Sequence, residues 1–151
     1  MNTIAQPTNL VFTGQIFYPG DEGFEEARVG RVFNGRRPER QPAAVLLAET
    51  EADVVNAVRL ARANDWSVAV RSGGHAWAVW SVRTGTLLVD LGLLQDKGYD
   101  EETGIAWANP AVQGGSVLSP WLETKGRFFS GGHCPTVGIG GFLLQGGQGW
   151  C

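Results

Sequence analysis

His75 follows a glycine pair in the run Val70-Arg71-Ser72-Gly73-Gly74-His75, and Cys134 follows another in Gly131-Gly132-His133-Cys134. An unprotonated imidazole and a thiolate are good side-chain nucleophiles, and nearby amides or positive charge favour the thiolate. The glycines around them offer a second capability. Glycine reaches positive φ and leaves its amide unshielded, so successive N–H groups can form a nest for an anion such as a pyrophosphate. Two readings of these glycines stand at this level: tight turns and bulges in a sheet, or backbone that a ligand approaches closely. Taken alone, a histidine after a glycine pair also reads as a turn residue, and a lone cysteine as a small buried thiol.

Named motifs of other chemistries do not fit. No Gly-Lys pair occurs, which excludes a P-loop. Gly138-Ile139-Gly140 begins a dinucleotide fingerprint, but Leu143 stands where its third glycine belongs. Ser116 follows Gly114-Gly115 and has Leu118 where a nucleophile elbow needs glycine. Neither H-E-x-x-H nor C-x-x-C occurs, and His75, His133, Cys134 and Cys151 match no zinc spacing. Adjacent His133 and Cys134 point apart on an extended backbone, against a Cys–His nucleophilic pair.

The elements that must position these runs can be read from periodicity. Residues 21–35 predict a short helix with acids in its first turn, Phe24, Ala27 and Val32 inward, and a stop at Asn34-Gly35. Ala43–Ala48 predicts a buried strand. Thr50 with Asp53 predicts a capped helix that buries Val54, Ala57, Val58 and Ala61 and ends at Asn64-Asp65. Ser67–Val70 predicts a strand that delivers Arg71 to His75 at its carboxyl end, where α/β folds tend to bind ligands. Residues 43–75 thus form a β-α-β unit. Strands are predicted at Thr86–Leu91 and Gly104–Val112, with a turn at Asp100–Thr103 between them. Helical spacing follows at Val117, Leu118, Trp121 and Leu122, then Phe128-Phe129 and a Leu- and Phe-rich terminal strand.

Composition narrows the function classes. The chain of 151 residues carries 22 glycines, and eight of them stand between Gly131 and Gly149. A net charge of −3 argues against nucleic acid or an anionic membrane as partner. The arginines of residues 21–40 are matched by as many acids, which reads as a solvated face. Two cysteines make no disulfide framework, and no run suits a signal peptide or a membrane span, so a cytoplasmic location is expected.

Two segments survive this filter. Val70–His75 and Ser130-Gly131-Gly132-His133-Cys134-Pro135-Thr136-Val137-Gly138-Ile139-Gly140-Gly141 together closely resemble the flavin-binding segment of berberine-bridge-enzyme-like flavoproteins, members of the vanillyl-alcohol-oxidase group. The resemblance extends from Tyr18 onward and includes Arg37-Pro38 and the run Gly146–Trp150. It implies an α+β fold, the N-terminal part of a PCMH-type FAD-binding domain: a β-α-β unit followed by a glycine-rich mixed sheet. Residues 1–20 then form a lead-in and residues 21–151 the domain. It further implies covalent FAD, held at His75 through the 8α carbon of the flavin ring and at Cys134 through ring carbon 6. Arg71, Ser72, Gly73 and Gly74 match the loop around the FAD pyrophosphate, with the Arg71 charge facing the phosphates. Val137, Gly138, Gly140 and Gly141 match a second stretch along the cofactor.

A tethered flavin of this kind abstracts hydride from an alcohol, sugar or secondary-metabolite C–H, and O₂ or another acceptor reoxidises it. Members of the family are several times longer and carry a substrate domain with a base, often a tyrosine. Tyr18 and Tyr99 match no such position. The stop at Trp150-Cys151 directly after a glycine run therefore predicts a truncated chain, inactive alone, with the small-molecule substrate bound only by the longer protein. The alternatives are a non-catalytic flavin- or nucleotide-binding fragment and a glycine-rich structural domain without ligand. Trp77, Trp80 and Trp150 are candidates for the flavin pocket or for the core. His133 reads as a loop residue, and Cys151 has no assigned contact.

Overall fold

The structure, a computed structural model, describes residue 4 and residues 9–149. Trp150 and Cys151, singled out above, lie outside the described residues. The elements are β1 (Gln15–Phe17), α1 (Phe24–Val29), β2 (Ala44–Leu47), α2 (Glu51–Ala63), β3 (Val68–Arg71), β4 (Leu87–Asp90), β5 (Lys97–Tyr99), β6 (Ala106–Ala108), α3 (Ser119–Glu123) and α4 (Ile139–Gln145). A π-helical turn, Gly114–Leu118, leads into α3.

Four strands form a mixed sheet in the order β1-β2-β4-β3. β1 runs antiparallel to β2, while β2, β4 and β3 are parallel. The two strands of the β-α-β unit are therefore not neighbours, because β4 inserts between them. All four residues of β4 are buried, as suits a central strand covered on both faces. β5 and β6 make a separate hairpin whose turn is held by Asp100, which accepts from the N–H groups of Glu102 and Thr103.

Each face of the sheet has its own apolar layer. Ala44, Leu46, Leu87 and Val89 pack against Ala57, Leu60 and Ala61 of α2. Val45 and Leu88 pack on the opposite side against Phe24, Ala27 and Val29 of α1, with Val32, Val79 and Val82. α2 is rotated from the expected face: Leu60 is buried and Val58 is about half exposed. α1 ends at Val29, earlier than predicted, and Val32 reaches the core from the turn beyond it. The expected terminal strand is the helix α4. An apolar run as short as Phe142-Leu143-Leu144 does not distinguish helix from strand by pattern alone.

Asp53 ties the amino-terminal stretch to this frame. Thr50 and Asp53 form the reciprocal capping box of α2: Asp53 N–H donates to Thr50 Oγ1 at 3.1 Å, and Thr50 N–H to Asp53 Oδ2 at 3.0 Å. The same buried carboxylate accepts from the N–H groups of Thr13, Gly14 and Glu49. It thereby holds β1 beside β2, although residues 1–20 carry no periodicity that announces a strand. Burial alone would raise the Asp53 pKa, but the N–H groups of Thr13, Glu49, Thr50 and Gly14 outweigh it and hold the carboxyl below its ordinary 3.8.

Because the folded pKa is the lower one, the Asp53 contribution is complete above about pH 4 and is lost as pH falls through the depressed value. Asp53→Ala, which orphans several buried donors, should cost about 3 kcal/mol in urea unfolding at pH 7, and the cost should shrink in acid.

Candidate functional site

β3 and β4 end in opposite charges that lie side by side in register, Arg71 opposite Asp90. Both side chains are 1% exposed. Arg71 Nε donates to Asp90 Oδ2 at 2.7 Å, and Nη1 donates to the carbonyl of Arg28 at 2.6 Å. Its Nη2 donates to the carbonyl of Ala27. The other Asp90 oxygen accepts from Arg31 Nη1 and from the N–H of Gly92. Burial pushes the Arg71 pKa down and Asp90 pulls it back up; an arginine stays charged regardless. The expectation that the Arg71 charge faces a phosphate is thus corrected. A buried guanidinium needs partners for its donors, and β4 with the last carbonyls of α1 supplies them inside the fold.

Beyond Arg71 the chain turns across the end of the sheet. Arg31 Nη2 donates to the Ser72 carbonyl at 2.9 Å, and Ser72 Oγ donates to the Pro110 carbonyl at 2.6 Å. Gly74 has φ +75°, and a Cβ there would meet the Arg31 carbonyl oxygen at 2.0 Å, so this turn needs glycine twice over. Among the described residues no protein acceptor takes the N–H groups of Ser72, Gly73, Gly74 or His75. Such a row of unengaged amides is a potential anion cradle.

The second glycine run packs directly onto the first. A Cβ on Gly73 would lie 2.4 Å from Gly138 N, and one on Gly138 would lie 2.7 Å from Gly73 N and 2.8 Å from Ser72 Oγ. The two backbones touch with no side chain between them. Pro110 joins them again, since its carbonyl accepts both the Ser72 hydroxyl and the N–H of Gly140. Gly138 also bridges to Gln113, and the N–H of Gly114 donates to the Val137 carbonyl. By contrast, a Cβ on Gly141 would meet nothing within 4 Å.

His75 and Cys134 sit on the rim of this junction. The turn from Cys134 to Val137 is closed by Val137 N–H donating to the Cys134 carbonyl, and its Thr136 Oγ1 lies 3.0 Å from His75 Nε2. The Cys134 thiol is free and exposed. Burial holds the His75 pKa below its ordinary 6.5, which favours the neutral, nucleophilic imidazole at pH 7. Phe33 stacks on the imidazole with ring centroids 4.5 Å apart. Trp77 and Trp80 are exposed, not core, and His133 is an exposed loop residue. Concavities around Tyr99 and Lys125 and around Arg36 and Arg40 lie away from the two glycine runs.

Sequence reasoning missed Arg31, Asp90, Phe33 and Pro110 as parts of this site. Asp90 had a signal, because it is the one charge in the predicted strand Thr86–Leu91, as Arg71 is the charge directly after the predicted strand Ser67–Val70. Phe33 and Pro110 had none, because their roles arise from distant chain segments.

The chain is similar to known proteins in sequence and in fold. The family description "FAD binding domain" matches residues 42–151. An FAD-linked oxidoreductase of Hypoxylon pulicicidum is 44% identical over 87% of the chain and 29% of its own length. The solved 6-hydroxy-D-nicotine oxidase of Arthrobacter nicotinovorans superimposes with a TM-score of 0.83 at 29% identity, covering 97% of this chain and 31% of that one. Berberine bridge enzyme from Eschscholzia californica gives 0.73 at 28% identity, over 90% and 29% of the two chains. The chain spans less than a third of the length of each of these relatives.

The Gly73–Gly138 contact can be tested directly. Gly138→Ala should force the loops apart and reduce flavin retained by the purified protein on the order of 100-fold, the scale expected for a misplacement near 1 Å. Val55→Ala, on the exposed face of α2, should retain it, with visible absorbance per polypeptide as the measure.

Proposed function

The chain belongs to the FAD-binding-domain family of FAD-linked oxidoreductases, and on that premise we propose that it is the flavin-holding part of an enzyme that oxidises a small organic substrate. The observation that carries this reading is the junction of the two glycine runs, which gathers unengaged amides, a neutral imidazole and an exposed thiol at one end of the sheet. When bound, FAD would accept a hydride from an alcohol, sugar or secondary-metabolite C–H and pass the electrons to O₂ or another acceptor.

The residues of the chain supply attachment and orientation. The amides of Ser72 to His75 would receive the pyrophosphate. Arg71 would act without touching it, because two arginines against one aspartate leave the Arg71–Asp90–Arg31 cluster with a net positive charge under the loop. Val137, Gly138, Gly140 and Gly141 would line the cofactor with backbone. His75 would hold the 8α carbon and Cys134 ring carbon 6, which keeps the flavin from dissociating. No residue of this chain is assigned the removal of the substrate's proton. A cytoplasmic setting goes with this reading, on the cysteine count and composition. No helix among the described residues is long and apolar enough to cross a membrane.

Mass spectrometry of the denatured intact protein should find an FAD adduct on the peptide containing His75 and on that containing Cys134. His75→Ala should lose the first and Cys134→Ser the second. Unmodified peptides at both positions in a flavin-replete preparation would refute the covalent assignment. The 151-residue piece expressed alone should show no turnover with alcohols or sugars.

A further inference from the structure

Phe33 and Thr136 have no part in the reading above, yet between them they hold the His75 ring. The Phe33 and His75 rings lie 12° from parallel with centroids 4.5 Å apart, so one face of the imidazole is covered. Trp77 meets Phe33 edge-on, with centroids 5.2 Å apart. The segment carrying Phe33 is fastened on both sides of His75: Phe33 N–H donates to the Gly74 carbonyl at 3.3 Å, and Asn34 Nδ2 to the Trp77 carbonyl at 3.1 Å. Thr136 Oγ1 engages Nε2 at 3.0 Å from the other glycine run. Among the described residues, Nε2 has a protein partner and Nδ1 has none.

Resting on the covalent reading above, we propose that Phe33 and Thr136 are positioning residues for flavin attachment: the stack fixes the plane of the imidazole, and Thr136 accepts the Nε2–H, which leaves the Nδ1 lone pair to form the bond. In that step the Nδ1 lone pair forms a bond to the 8α carbon, and a hydrogen leaves that carbon as a proton. The electron pair of the broken C–H bond remains on the flavin, which ends reduced by two electrons. Dioxygen then takes those electrons with two protons as hydrogen peroxide. The positive charge that develops on the imidazole is met by the Nε2–H bond to Thr136 and removed when the Nε2 proton departs. The ring must be neutral when the bond begins to form, and burial of His75 favours that state at pH 7.

The test uses the intact protein prepared without flavin, to which FAD is added while covalent incorporation at His75 is followed by mass. Thr136→Val should slow attachment roughly tenfold, the equivalent of one hydrogen bond, and Thr136→Ser should restore it. Phe33→Leu should slow it similarly, and Phe33→Tyr should keep it near wild type. In ¹⁵N-histidine spectra of the flavin-free protein, with His133→Asn used for assignment, His75 should carry its proton on Nε2. Two results overturn the positioning roles while leaving covalent attachment intact: a proton on Nδ1, or attachment at the wild-type rate in Thr136→Val and Phe33→Leu. If wild-type protein gains no adduct at His75, the covalent reading fails and this proposal with it. If Thr136→Val does not fold, the tautomer in wild type still decides.

Discussion

Arg71 and Asp90 close two neighbouring parallel strands with opposite charges, and both side chains are buried. Stripping water from such a pair costs several kcal/mol per ion, so the pair is tolerable only where every donor and lone pair finds a partner. Here the carbonyls of Ala27 and Arg28, the Arg31 guanidinium and the N–H of Gly92 complete the set. Those partners come from α1, from the turn after it and from the loop after β4. One interaction therefore fixes how α1 sits on the sheet and where both strands release their loops. The Arg31 bond to the Ser72 carbonyl extends that order one residue into the glycine run. Breaking a buried pair by deleting one partner typically costs 3–5 kcal/mol, and in this fold the loss would fall beneath the candidate site.

Two glycine loops can be brought into backbone contact only if something holds each in place, and the holding is asymmetric. The first loop is set by the charge cluster beneath it. The second hangs from the segment after β6, through the Gln113–Gly138 bridge, the Gly114 N–H to the Val137 carbonyl, and Gly140 N–H to the Pro110 carbonyl. Pro110 is the shared point, since the Ser72 hydroxyl reaches the same carbonyl. Downstream of His75 the chain is pinned once more. Val79 has φ +53°, a strained conformation for a β-branched residue. Its side chain is buried against Phe24, Val45 and Leu88, and Arg40 Nη2 donates to its carbonyl. The Val79 anchor downstream and the Arg31 bond to the Ser72 carbonyl upstream thus fix the backbone on both sides of His75, so a partly buried loop residue is held in one orientation.

The local features of the chain were legible because they depend on neighbours in sequence. The Thr50–Asp53 capping box spans four residues, and so does the Asp100 turn. Ala44–Leu47 and Leu87–Asp90 are apolar enough to be strands wherever they are packed. Errors arose where packing chose among options that the pattern left open. Val58 and Leu60 exchanged places because the face α2 buries is set by the sheet below it. Phe142-Leu143 became helix because nothing in a short apolar run rejects either form. β1 had no periodic signal, since a three-residue strand is too short to show one and is placed by the distant Asp53 carboxylate through Thr13 and Gly14.

The sequence alone determined the chemistry available: which side chains can act as nucleophiles, which stretches of backbone can lie bare, and the motif pair that marks the flavoprotein family. Tertiary structure decided which groups face outward and which meet. It turned the Arg71 charge into the fold because a parallel strand brought Asp90 alongside. It also set Phe33 and Thr136 against His75 from segments far apart in the chain. Residue types fix what a group can do at any position. Contacts between distant segments depend on strand order and register, which no local spacing encodes.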